Sequence, residues 1–173
     1  MDDLPKDGRV DAAGRTAELV RLLGLHPHPE GGHYRELFRS ADVCRSSAGR
    51  GERAAVTTID FVLGPGERSA WHRVRSDEVW HRMEGGPLRL WLVTPALDEV
   101  RAVELGAADG TRLPRHVVPA GWWQAAEPAP GAYAWSGATV GPGFDFADFA
   151  FGRDDAPFRE ALQRLAPALE RLL

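Results

Sequence analysis

The residues best suited to chemistry lie between Gly66 and Gly85, in the stretch G-E-R-S-A-W-H-R-V-R-S-D-E-V-W-H-R-M-E-G. It contains His72, the acidic pair Asp77 and Glu78, and two tryptophans, Trp71 and Trp80. A histidine near a carboxylate is the ordinary arrangement of a general base, with the acid fixing the ring tautomer. The stretch reads as two strands joined by a short polar corner at Ser76-Asp77. Alternate residues of a strand share a face. Ala70, His72 and Val74 therefore face one way, and Glu78, Trp80 and Arg82 share a face on the next strand. If these strands wall a pocket, His72 and Glu78 meet inside it.

Arg82 is the most informative of the remaining charges, because an arginine on an inward face is costly without a partner. Either it binds a ligand or it pairs with a carboxylate such as Glu78 or Glu36. Tyr34 and Arg35 lie on a strand over His33–Arg39 with charged residues on both faces. Such a strand is an edge or lines a wet pocket, since buried charges gather where they have partners. Tyr34 is a candidate catalytic group and Arg35 a candidate ligand contact. Gln124 and Trp122, in P-A-G-W-W-Q, are further ligand contacts, and Trp80 offers a stacking surface. Most of the six tryptophans are expected in the core or at an interface.

The elements that would hold these residues follow from periodicity and punctuation. Asp11 caps a predicted helix from Ala12 to Leu23, and Gly24 stops it. His26-Pro27 and His28-Pro29 impose an extended segment. Residues 41–53 read as a loop. Strands are predicted over 54–63, 68–74, from 78 to the Gly85-Gly86-Pro87 turn, 88–94, 100–105, 115–118 and 132–140. F-D-F-A-D-F-A-F after Gly143 reads as a last strand with a bulge. From Asp154 the pattern turns helical, with Pro157 in the first turn and a break at Pro167. Many short strands bracketed by helices predict an all-β sandwich or barrel.

A chain of 173 residues with 43% apolar content fits one domain with a real core. Its domain plan is a disordered tail over 1–10, a helix over 11–24, a barrel over 25–152 and helices over 154–173. A formal charge of -4 argues against nucleic-acid binding. The single cysteine, Cys44, permits a reducing compartment. No apolar run approaches a membrane span, and no signal sequence is visible, so a soluble cytoplasmic protein is expected.

These residues resemble a known family. Gly66, His72, Val74, Glu78 and Gly85 are similar to the first cupin motif, G-x5-H-x-H-x3-4-E-x6-G, with valine at the second histidine. P-A-G-W-W-Q resembles the second motif with Gln124 in place of its histidine. H-P-E-G-G-H-Y-R-E-L-F-R-S, W-H-R-V-R-S-D-E-V-W-H, V-V-P-A-G-W-W-Q-A and V-G-P-G-F-D-F-A-D-F together resemble the cupin-5 (DUF985) type among sugar-epimerase-like (RmlC-like) cupins, over about residues 18 to 152. The resemblance implies a double-stranded β-helix, or jelly-roll barrel, a homodimer and a small-molecule ligand in the barrel. It does not supply an activity. By the family pattern, a divalent metal would rest on His72, Glu78 and Gln124, a weak set because valine cannot ligate and an amide oxygen is a poor ligand. No organic cofactor is expected. A metal-free isomerase or epimerase acting on a sugar or sugar nucleotide is the first expectation. A metal-dependent oxygenase or isomerase and a non-catalytic binding homodimer are the alternatives.

Overall fold

The computed structural model describes residues 11–45 and 49–173. The expected tail over 1–10 and the middle of the expected 41–53 loop lie outside the described residues. Helix α1, Ala12–Leu23, begins where Asp11 accepts a hydrogen bond from the Gly14 amide and ends at Gly24, φ 61°, whose amide returns to the Arg21 and Val20 carbonyls. Replacing Asp11 with alanine should cost about 1 kcal/mol of stability, read as a lower denaturation midpoint at unchanged m-value. An unchanged midpoint would mean the helix is held by packing alone.

Thirteen strands follow among the described residues: β1 His26–Pro27, β2 His33–Arg39, β3 Val43–Arg45, β4 Glu52–Ala54, β5 Thr57–Leu63, β6 Ser69–Val74, β7 Asp77–Gly85, β8 Leu88–Val93, β9 Val100–Leu105, β10 Arg115–Val118, β11 Trp123–Pro128, β12 Ala134–Gly141 and β13 Phe149–Phe151. They form a six-stranded sheet, β1-β2-β5-β12-β7-β10, a five-stranded sheet, β13-β6-β11-β8-β9, and the hairpin β3-β4. All these strand pairs are antiparallel. The expected all-β jelly-roll barrel with helices at both ends is the observed fold.

Three differences from the sequence expectation have local causes. The loop over 41–53 contains the β3-β4 hairpin. F-D-F-A-D-F is not a strand: Asp145 caps a single 3-10 turn, Phe146–Asp148, by accepting from the Ala147 amide, and only Phe149–Phe151 extends. A third difference lies in β2, where the register slips between Glu36 and Phe38, so that Arg39 pairs with Thr57 and Glu36 with Ile59. That slip moves Arg39 from the face it would share with Arg35 to the face of Glu36 and Tyr34.

One apolar cluster fills part of the barrel, with Phe61, Leu63, Trp80, Leu88, Leu90, Leu92 and Leu105 at its centre. A second lies under helix α2, Ala156–Leu165, where Phe158 stacks on Trp123 (4.2 Å between centroids) beside Trp71. The third joins α1 to the larger sheet through Leu19, Leu25, Val62 and Tyr133. Both helices thus cover outer sheet faces, and the barrel interior is left to the first cluster and a cavity.

Candidate functional site

The cavity holds about 400 Å³ and is walled by strands of both sheets. Tyr34 comes from β2, Ile59 and Phe61 from β5, His72 and Val74 from β6, Glu78 and Trp80 from β7, and Ala138 and Val140 from β12. Alternation places these side chains inward, as the pattern around His72 and Glu78 predicts. His28 and Glu30 reach the same cavity from the segment before β2. That segment is shaped by its punctuation. The Gly31 amide bonds the His28 carbonyl (3.0 Å) across Pro29, and the His28 amide bonds the Gly32 carbonyl (2.9 Å). Gly31 (φ 110°) and Gly32 (φ 69°) take left-handed conformations. A Cβ at Gly31 would strike the Arg68 carbonyl oxygen, and at Gly32 it would lie 2.6 Å from Leu63 and the Val62 carbonyl. Glycine is needed at both for the turn to approach the barrel so closely.

His72 is 2% exposed and lies on the five-stranded sheet between β11 and β13. Its Nδ1 is 2.8 Å from the Ala70 carbonyl oxygen. A carbonyl can only accept, so Nδ1 carries the proton and Nε2 is the bare nitrogen. The same Nδ1 lies 3.3 Å from Glu30 Oε2, which also accepts from the Ser69 hydroxyl at 2.7 Å. His28 has the opposite arrangement. Its Nδ1 accepts from the Glu30 amide at 3.1 Å, so the neutral ring carries its proton on Nε2. The two rings therefore offer the cavity one acceptor and one donor.

Burial sets the protonation of all four groups. It lowers the pKa of both histidines, keeping them neutral, although nearby Glu78 pulls His72 the other way and Glu30 does so for His28. It raises both carboxyls. Glu30 is held above the usual range despite His28 and Ser69. Glu78 is pushed up to about 6, with His72 and a hydrogen bond from Gln124 opposing and Glu30 adding to the rise. Removing a carboxylate from water is costly unless it is paired, and neither carboxyl has a cation within hydrogen-bonding range among the described side chains.

The structure brings His72, Glu78, Tyr34, Trp80 and Arg35 to the cavity wall and leaves Arg82, Gln124 and Trp122 off it. Gln124 is buried behind the wall. Its Nε2 donates to Glu78 and its Oε1 accepts from Trp80 Nε1 at 2.9 Å, so it positions those two side chains and has neither end aimed at a ligand. Arg82 keeps the phase of Glu78 and Trp80, pairing with Ser136, but it lies off the cavity wall and donates to the Gly85 carbonyl (2.6 Å). Trp122 packs beside the first apolar cluster under Arg101, whose guanidinium lies 5.1 Å from the ring. Arg35 faces Asp60 at 3.5 Å, and Asp60 accepts from Trp135. This pairing explains an aspartate in an otherwise apolar strand. Glu78 does not orient His72 by a hydrogen bond; the Ala70 carbonyl does that, with the Glu30 carboxyl 3.3 Å away.

His28 and Glu30 are pocket residues that periodicity does not assign; Glu36 shares the face of Tyr34 by alternation, and Arg39 joins it through the register slip. The motif H-P-E-G-G-H was visible, but its prolines pointed to a rigid arm and away from a site. At the mouth, Arg39 donates from Nε and Nη2 to the Glu36 carboxylate (3.0 and 2.7 Å) and from Nη1 to the Phe144 carbonyl (3.1 Å). Phe146, 60% exposed, marks the rim.

A divalent ion does not fit this donor set. Val74 stands where a second histidine would be, and the Gln124 oxygen is occupied by the Trp80 indole N–H. Among the described residues, no three His, Cys, Asp or Glu side chains are grouped to hold a metal. His72 and Glu78 alone make half of a four-ligand site.

An antiparallel jelly-roll with a polar pocket between its sheets defines a cupin-type barrel. The chain belongs to the family described as Cupin superfamily (DUF985), whose profile matches residues 17–152. Similar solved structures include a hypothetical protein from Leishmania major, 29% identical with a TM-score of 0.77, covering 90% of this chain and 97% of that one. A protein from Shewanella oneidensis is also 29% identical, with a TM-score of 0.75 over 90% of this chain and 94% of that one. Oxalate decarboxylase from Bacillus subtilis shares the fold, at 14% identity and a TM-score of 0.55 over 86% of this chain and 37% of that one. No curated protein sequence matches significantly. No helix among the described residues is long and apolar enough to cross a membrane.

Proposed function

We propose that the chain is a metal-independent isomerase or epimerase of the cupin type, acting on a sugar-derived substrate inside the barrel. The observation that carries this is the fixed tautomer of His72, whose Nε2 is left as a base in an enclosed pocket beside a carboxyl of raised pKa. The proposed step is removal of a proton from the carbon next to a substrate carbonyl by His72 Nε2. The electron pair moves into an enediol oxygen that His28 Nε2–H stabilises. A proton then returns to carbon from Glu78 or Tyr34, and the imidazolium proton passes through solvent to the carboxylate or phenolate left behind, so each group ends as it began. Preorganised groups of this kind act best where water is excluded.

Exchange of substrate C–H for deuterium in heavy water, followed by proton NMR, tests the step. The wild-type protein should exchange one carbon-bound hydrogen of its substrate. His72→Gln should slow that exchange by about 10²- to 10⁴-fold. A ligand that binds without exchanging would make the protein a binding module instead.

A further inference from the structure

Two buried carboxyls, Glu30 and Glu78, line the cavity without a cation beside them. One oxygen of each is held by a donor of the protein. Glu30 Oε2 accepts from the Ser69 hydroxyl (2.7 Å), and Glu78 Oε2 accepts from the Gln124 amide. That amide cannot turn round without losing the Trp80 indole N–H from its oxygen. Both donors favour the ionised carboxylate. The other oxygen of each carboxyl has no hydrogen-bond donor among the described residues. Nor has Nε2 of His72, on a ring only 2% exposed that lines the same cavity. The other charged groups of the lining, Arg35, Glu36, Arg39 and Asp145, are half-exposed or exposed, and water and salt screen them. They leave the charge of the buried pair unbalanced.

We infer that the ligand is an amino sugar, whose ammonium group supplies the missing counter-charge to Glu30 and Glu78. An ammonium carries three N–H donors and no acceptor, which suits a wall of bare acceptors. Its attraction to a carboxylate is stronger in this low-dielectric space than in water and offsets the cost of desolvating both. The rings of Tyr34, Phe61 and Trp80 border the same space, with Phe61 and Trp80 5.9 Å apart between centroids. Aromatic faces within about 6 Å attract a cation further. One carboxylate pairs with the ammonium, and the other carboxyl is left to carry a proton. His28 and His72 keep the carbonyl end of the ligand. This inference rests on the proposed function and narrows its sugar-derived substrate to an aminated one.

Titration of the full chain with matched sugars at about pH 7 tests it, by ligand-observed NMR and thermal shift. Glucosamine is compared with glucose and N-acetylglucosamine, and fructosamine with fructose. The amine of each set should bind at least about tenfold more tightly than its uncharged partners. Glu30→Gln and Glu78→Gln keep an oxygen to accept from Ser69 and Gln124. Each should cut the preference to about threefold or less while the uncharged sugars keep their affinity. Uncharged sugars that bind the wild-type protein as tightly as the amines overturn the inference, and if one of them exchanges deuterium the proposed function survives. A preference unchanged in both variants also overturns it, since the cation would then be held at the rim. An amine preference that is lost in the variants, with no exchange of hydrogen, upholds the inference and overturns the proposed reaction. Failure of every sugar to bind overturns both.

Discussion

Replacing Asp148 with alanine should destabilise the protein by about 3–5 kcal/mol, the usual cost of removing one partner from a buried ion pair. For a chain of this size the melting temperature should fall by roughly 10 °C. Asp148 is 3% exposed. It accepts from Arg53 through both carboxylate oxygens (2.9 and 3.2 Å) and from Arg50 at 3.0 Å, and Arg50 also reaches Ser76. Burial would raise the Asp148 pKa, but Arg53, Arg50 and Arg75 hold it below the ordinary value. A depressed carboxyl stabilises the fold above its unfolded pKa and is lost as pH falls through the folded one. The alanine variant should therefore differ from wild type most at neutral pH and least in strong acid. The cluster ties the 3-10 turn to the β3-β4 hairpin, and that turn leads on from the Phe144–Phe146 rim. Ligand affinity should fall along with stability. A loss under about 1 kcal/mol would show that these charges behave as an exposed surface pair.

The second large effect has the opposite sign. Glu78→Gln should stabilise the protein at pH 7 to 8 by about 2 kcal/mol, while slowing the return of a proton to substrate. The Glu78 carboxyl titrates at about 6 in the fold against 4.5 outside it. Between those values the folded state holds more protons than the unfolded one, so stability falls as pH rises through the window. Above it the full ionisation penalty is present. Glutamine has no such penalty, and its amide oxygen can still accept from Gln124. The stability difference should appear above about pH 4.5, grow to about pH 6 and then level off. His72, lowered by burial, contributes the opposite slope, and in the variant it also loses the upward pull of the Glu78 carboxylate. Urea denaturation of both proteins across pH 4 to 8 measures it. A variant less stable than wild type at pH 8 would mean that Glu78 is held by a favourable partner when ionised. Higher stability with slowed deuterium exchange would be the usual cost of keeping an ionisable group ready inside an apolar pocket.

Much of the scaffold is legible in the chain because its signals are local. The Asp11 cap and Gly24 stop delimit α1 to the residue. The strands over Leu88–Val93, Val100–Leu105 and Arg115–Val118 follow from β-branched and apolar runs between turn residues. The inward course of His72, Glu78, Trp80 and Tyr34 needs only period-two alternation, and the spacing from Gly66 to Gly85 points to the family.

The partners of those residues are not local. Glu30 and His72 are far apart in sequence and meet only because the Gly31-Gly32 turn lays its segment against β6, where the Ala70 amide bonds the Glu30 carbonyl at 2.8 Å. Gln124 faces Glu78 from the other sheet. Arg39 reaches the pocket through a one-residue slip in β2, while Arg82, in phase with Trp80, lies off the cavity wall. The amino-acid sequence alone determined which elements form and which faces turn inward, since propensity, capping and alternation act over a few residues. Only the closed barrel decided which nitrogen of each histidine bears the proton and which carboxyls lack a counter-charge. Those are properties of neighbours brought together from separate strands, and low dielectric gives them their force.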